Sequence, residues 1–113
     1  MKLLLRSALV SGILIAGLLP AFAGGGSFSG SGQWIVSPPS AATFSSVATS
    51  GSGGQVSIVV VDLTHSGTLV YQVYTVNGSP ATITGGATVG AGSYHIVHVI
   101  YSTPGTADTT VNW

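Results

Sequence analysis

The sequence predicts an all-β domain, a small two-sheet antiparallel sandwich of seven or eight short strands. Three observations predict it. Residues 24–113 contain 13 Val, 5 Ile and 12 Thr against 2 Leu, and no Glu, Lys, Arg or Met; β-branched residues favour strands, and the missing types are those that build helices. Short apolar runs recur at roughly 8–12-residue spacing with turn residues between them, the pattern of a sandwich. No helical repeat or solenoid period is visible.

Residues 1–23 read as a secretory signal. Lys2 and Arg6 form a positive n-region and residues 8–19 an apolar core. Pro20 breaks the helix, and Ala21-Phe22-Ala23 supplies the small residues of a cleavage site after Ala23. Residues 7–23 span only 17 positions and no basic cluster follows them, so cleavage is expected in place of a retained anchor, with no membrane span afterwards. The expected location is secreted: extracellular, cell surface or periplasm. Residues 24–32 (GGGSFSGSG) read as a flexible Gly/Ser leader, and residues 33–113 as the sandwich.

Within that domain, residues 33–37 carry Trp34 and Val36 and stop at Pro38-Pro39, the mark of a short strand. Residues 42–49 are a weaker strand, followed by the loop Ser50 to Gly54. Residues 55–63 (QVSIVVVDL) are the strongest, apolar without a break from Ile58 to Val61, which predicts cover on both faces. Thr64-His65-Ser66-Gly67 forms a turn into residues 68–76 (TLVYQVYTV), and Asn77-Gly78 turns the chain again. Residues 81–84 and 87–89 read as short strands separated by a break at Gly85-Gly86. Residues 94–101 (YHIVHVIY) are apolar on both faces, and beyond Pro104-Gly105 the residues Thr109, Val111 and Trp113 alternate with polar neighbours in the final strand.

Ala91-Gly92-Ser93-Tyr94 resembles the corner at which immunoglobulin-like sandwiches place a tyrosine before their penultimate strand. The resemblance implies an immunoglobulin-like fold class and nothing about activity.

Charge excludes several functions. The chain holds 2 basic and 2 acidic residues, and beyond residue 23 only Asp62 and Asp108 remain. Electrostatic nucleic-acid binding needs clustered Lys or Arg. With no cysteine there is neither a disulfide framework nor a thiolate metal site. No Gly-x-Ser-x-Gly occurs, since Phe28 takes the nucleophile position of Gly26-Ser27-Phe28-Ser29-Gly30. Without Glu, paired-carboxylate chemistry would rest on Asp62 and Asp108, both at turns or strand ends. His95 and His98 lie three apart on one strand and so face opposite sides of the sheet; one ion would need His65 or Asp62 to join one of them. Asn77-Gly78-Ser79 matches a glycosylation sequon, but Pro80 follows it and a turn is the simpler reading. No catalytic residue, metal ligand or cofactor is expected.

A neutral exterior leaves sheet edges with little charge to refuse partners. The expected function is therefore a non-enzymatic structural or accessory subunit of an extracellular or cell-surface assembly, a fibre or matrix component. Its partners would be further copies or other surface proteins, with Trp34, Val36, Val111 and Trp113 in the two end segments as subunit contacts. The alternative is a small carbohydrate- or ligand-binding module presenting Tyr71, Tyr74 and Tyr101 to a polysaccharide.

Overall fold

A computed structural model describes residues 25–113; the export segment and its cleavage site lie outside the described residues. Eight strands follow one another: β1 Gly26–Ser29, β2 Gly32–Val36, β3 Ala42–Ser50, β4 Gln55–Asp62, β5 Thr68–Tyr74, β6 Ala81–Val89, β7 Tyr94–Ser102 and β8 Gly105–Asn112. Among the described residues the one helical element is a 3₁₀ turn, Leu63–His65. Two four-stranded antiparallel sheets result, one in the order β1-β8-β3-β6 (sheet I), the other β2-β7-β4-β5 (sheet II).

The pairing is nested: β1 with β8, β2 with β7, β3 with β6, β4 with β5. The chain is thus one long hairpin, rolled so that β3 also meets β8 and β4 also meets β7. That is the winding of an eight-stranded jelly roll, within the expected class of two-sheet sandwiches. The tyrosine corner is formed as well: the Tyr94 hydroxyl donates to the Gly90 carbonyl at 2.8 Å.

The hairpin tip is held by Asp62. Its Oδ1 accepts from the backbone N–H groups of Thr64 at 2.9 Å and His65 at 3.2 Å, and its Oδ2 lies 2.7 Å from His65 Nδ1. Ser66 and Gly67 then reverse the chain with φ of 60° and 74°. An acidic side chain serves here as an N-cap of a single turn, so the expectation of a turn-type aspartate is met.

The core lies between the sheets in two apolar clusters. One groups Val36, Ala42, Phe44, Val60, Tyr94, Ile96 and Val111; the other groups Ala48, Val56, Ile58, Val73 and Ala107. Inward residues alternate along every central strand, as for β8, where Ala107, Thr109 and Val111 are buried and Thr106, Asp108 and Thr110 exposed.

Four expectations change. The segment 24–32 contains β1, whose residues pair with β8 from Gly26–Val111 to Ser29–Asp108; Phe28 packs on the core from this strand, and the backbone ladder offsets its weak propensity. Gly85-Gly86 does not interrupt β6, which runs unbroken for nine residues. A Cβ at Gly86 would stand 2.2 Å from the Phe44 carbonyl oxygen, and one at Gly85 2.7 Å from a Val73 methyl, so these glycines permit close approach within a strand. The run Ile58 to Val61 is not covered on both faces: Ile58 and Val60 are buried, while Val59 and Val61 lie half-exposed on the outer surface of sheet II. Finally, residues 107–113 are not an edge, because β8 lies between β1 and β3.

Val60 and Ile96 are register partners, both fully buried. Val60→Asp or Ile96→Asp is expected to cost more than about 3 kcal/mol and to abolish folding, since neither site offers a partner for a charge. Far-UV circular dichroism and a thermal melt check this; a cooperative transition at the wild-type temperature would contradict the placement of these strands.

Candidate functional site

The histidines, Asp62 and the exposed tyrosines group in three places: between the sheets, at the hairpin tip and on the outer face of sheet II.

Between the two apolar clusters runs a chain of hydrogen bonds. The Tyr71 hydroxyl lies 2.6 Å from Ser46 Oγ, Ser46 Oγ 2.7 Å from Thr109 Oγ1, Thr109 Oγ1 2.7 Å from His98 Nε2, and His98 Nδ1 3.0 Å from the Gly30 carbonyl oxygen. Its direction is determined. A carbonyl only accepts, so His98 Nδ1 carries the proton and a neutral ring leaves Nε2 as acceptor. Thr109 must then donate to Nε2, Ser46 to Thr109, and Tyr71 to Ser46. Every hydroxyl proton along the chain is used once. Ser46 and Thr109 are cross-strand partners of β3 and β8, so the sheet register itself sets their contact. Burial pushes the His98 pKa down to about 4, against smaller upward contributions from the Gly30 hydrogen bond and the Asp108 charge. Trp34 covers the ring edge-on at a centroid distance of 4.9 Å, and Phe28 lies 5.3 Å from Trp34.

At the hairpin tip, Asp62 and His65 form an exposed ion pair when the imidazole is protonated. Desolvation alone would raise the Asp62 pKa, but the hydrogen bond and charge of His65, with the backbone N–H groups of His65 and Thr64, hold it below its ordinary value. Asp108 accepts from the Ser29 hydroxyl at 2.7 Å. Both carboxylates of the described residues thus serve the turn and the β1–β8 pairing.

The outer face of sheet II is the third place. In-register rows cross it: Ile35, His95, Val61, Leu69; Gln33, Val97, Val59, Gln72; then Val99, Ser57, Tyr74. No residue in these rows is Asp, Glu, Lys or Arg. The His95 Nε2–H donates to Gln33 Oε1 at 2.9 Å. Where β4 meets β7 the register shifts, Val56 pairing with Ile100 and Gln55 with Ser102; Tyr101 is the extra residue and stands outward, 61% exposed. Tyr74 is 59% exposed. The two tyrosines border one open groove of about 190 Å³ whose floor is Gln55, Val56, Ser57 and Gln72. The opposite outer face, on sheet I, carries hydroxyls instead, among them Thr43, Ser45, Thr82, Thr84, Thr88 and Thr110.

The structure redistributes the residues singled out from sequence. Tyr74 and Tyr101 are on the surface, but Tyr71 points between the sheets, where its hydroxyl ends the buried chain. Val36 and Val111 are buried in this domain's own core, and Trp34 and Trp113 pack partly buried against the same cluster. Val36 and Val111 are therefore core residues in place of subunit contacts, while Trp34 and Trp113 keep part of their surface open. His95 and His98 do face opposite sides of β7, one toward Gln33 and one toward Thr109. Gln55, Ser57 and Gln72 were not anticipated, although Ser57 and Gln72 interrupt otherwise apolar strands at outward positions.

No protein-family model matches the chain. No curated protein matches it. Among solved structures the chain is similar to the pre-peptidase C-terminal domain of a collagenase from Bacillus anthracis, with a TM-score of 0.53 at 15% identity over 85% of this chain and 100% of that one. The likeness is one of fold.

The buried chain has a pH consequence. An unfolded histidine titrates near 6.5, while native His98 resists protonation until about pH 4. Between these values the unfolded chain binds a proton that the native state refuses, so stability is full above pH 6.5 and falls as pH drops toward 4, by about 3 kcal/mol from this group. His95, half-buried and shifted the same way by desolvation, adds to the slope. Melts across pH 3.5–7.5 check this: His98→Gln is expected to remove most of the pH dependence in that window.

Proposed function

We propose that the chain is a secreted, non-enzymatic structural or accessory subunit of an extracellular or cell-surface assembly, and that it joins its neighbours through the free edge of β6. The observation that carries this reading is the state of the four sheet edges. β1 and β2 are four and five residues long, and β5 is broken by a register shift that leaves Val70 unpaired against Val60 and Val61. Shortness and bulges are ways of blunting an edge. β6 has neither. It runs regularly for nine residues along β3, contains no charge and no proline, and its other side is open.

Such an edge accepts an added strand through backbone hydrogen bonds. Of the two segments assigned to this role from sequence, residues 107–113 lie between β1 and β3, and residues 27–36 form the short edges β1 and β2, so β6 is the longest open edge. Non-enzymatic action is supported by the engagement of Asp62, Asp108 and His98 in the turn, the β1–β8 pairing and the core. The extracellular setting rests on the export segment read from the sequence. No helix among the described residues is long and apolar enough to cross a membrane.

The test is analytical ultracentrifugation with negative-stain microscopy of the wild type beside Thr82→Lys/Thr84→Lys. Both threonines lie on the outer side of β6, so the fold and melting temperature are expected to persist while large particles disappear. A wild type that stays monomeric at high concentration, or a double variant that assembles equally well, would overturn the proposal.

A further inference from the structure

The groove bordered by Tyr74 and Tyr101 belongs to the outer face of sheet II, a different sheet from that of the β6 edge, and does not depend on the assembly reading. We infer that it is a binding site for a neutral polysaccharide chain, with the two tyrosines as stacking platforms and Gln55 and Gln72 as the hydrogen-bonding groups of the floor.

The chemistry of the lining selects the ligand. Tyr74 and Tyr101 are on β5 and β7, the two neighbours of β4, so they stand roughly 10 Å apart across the sheet. Each leaves about three-fifths of its surface to solvent, at 59% and 61%. Two exposed rings at that spacing, with polar groups between, are wasted on water. They suit a ligand whose faces are apolar C–H and whose rims are hydroxyl, which describes pyranose rings. An aromatic ring offers a C–H face apolar contact and its hydroxyl a polar tip. Primary amides both donate and accept, so Gln55 and Gln72 can meet vicinal hydroxyls in either orientation, above a floor formed in part by the buried Ser57.

The β-bulge is the second observation. Tyr101 is the residue left over where β7 pairs with β4; a regular ladder would set it directly opposite Gln55, and the shift leaves it unpaired between Ile100 and Ser102. Bulges of this kind re-aim a side chain. The volume is the third. At about 190 Å³ the groove is smaller than the roughly 300–1,000 Å³ of sites that engulf a small molecule, so an occupant rests on the open face rather than inside a cavity, which a chain of sugar rings can do. Charge then narrows the polymer. The groove and the rows beside it carry no carboxylate, ammonium or guanidinium group, which leaves no fixed positive charge to pair with a uronate or sulfate and favours an uncharged glucan.

The experiment is affinity electrophoresis and pull-down of the purified protein with hydroxyethyl cellulose, glycogen, polygalacturonate and gelatin as probes. Retardation by a neutral glucan is expected. Tyr74→Ala and Tyr101→Ala should each raise its Kd at least tenfold with an unchanged melting temperature, because both rings stand outside the core, and Tyr101→Phe should retain binding within a few-fold. Retardation by neither neutral glucan overturns the inference, as does binding that both alanine variants keep. Binding to gelatin alone would show that the groove takes an extended peptide and would equally overturn it. Thr82→Lys/Thr84→Lys should bind the glucan like the wild type, which separates this site from the β6 edge.

Discussion

The hydrogen-bond chain from Tyr71 through Ser46, Thr109 and His98 to Gly30 is the constraint on which the sandwich depends. It occupies the middle of the core, between the two apolar clusters, where a domain of this size would gain most from packing. It crosses from β5 to β3, along to β8, back to β7, and ends in the turn between β1 and β2. Every sheet neighbour must be in register for it to close. A buried polar network fully satisfied in one direction specifies a single arrangement, and breaking one link leaves a buried group unpaired at roughly 1–3 kcal/mol. With no cysteine and almost no ion pairs, this protein has few other means of selecting one register among many.

Rolling a long hairpin also divides the surface. Sheet I turns threonine and serine outward, and sheet II turns valine, isoleucine, tyrosine and glutamine outward. Neither face needs charge to be compatible with neutral matter outside the cell. The β6 edge and the Tyr74–Tyr101 groove are the places where this economy leaves interaction capacity unused: an unpaired backbone in one case, exposed rings over amides in the other. They lie on different sheets.

Much of the fold was legible from composition and turn spacing. Val60, Ile96 and Tyr94 were readable as core because each lies in a strongly apolar strand, although the unbroken run Ile58 to Val61 did not say that only every second residue faces in. β1 was not: Gly26–Ser29 has almost no strand propensity, and only pairing with β8 makes it a strand. Gly85-Gly86 reads as a break because the reason for it, the Phe44 backbone against Gly86, is supplied by another strand. Of the site, Tyr74 and Tyr101 were visible as surplus aromatics. Period-two alternation separates Tyr71 from Tyr74 but does not say which is inside; that depends on Ser46 waiting across the core. Ser57 and Gln72 carried a usable signal, a polar residue at an outward position of an apolar strand.

The central claim is that a neutral His98, protonated on Nδ1, is the terminus of a unidirectional chain of hydroxyls. Long-range ¹H–¹⁵N correlation spectroscopy of the imidazoles tests it most directly, because the ring nitrogen shifts report tautomer and titration together. The account predicts that His98 shows the Nδ1–H tautomer at pH 7 and keeps it until the pH approaches 4. An Nε2–H tautomer, or a titration midpoint near 6.5, would contradict it.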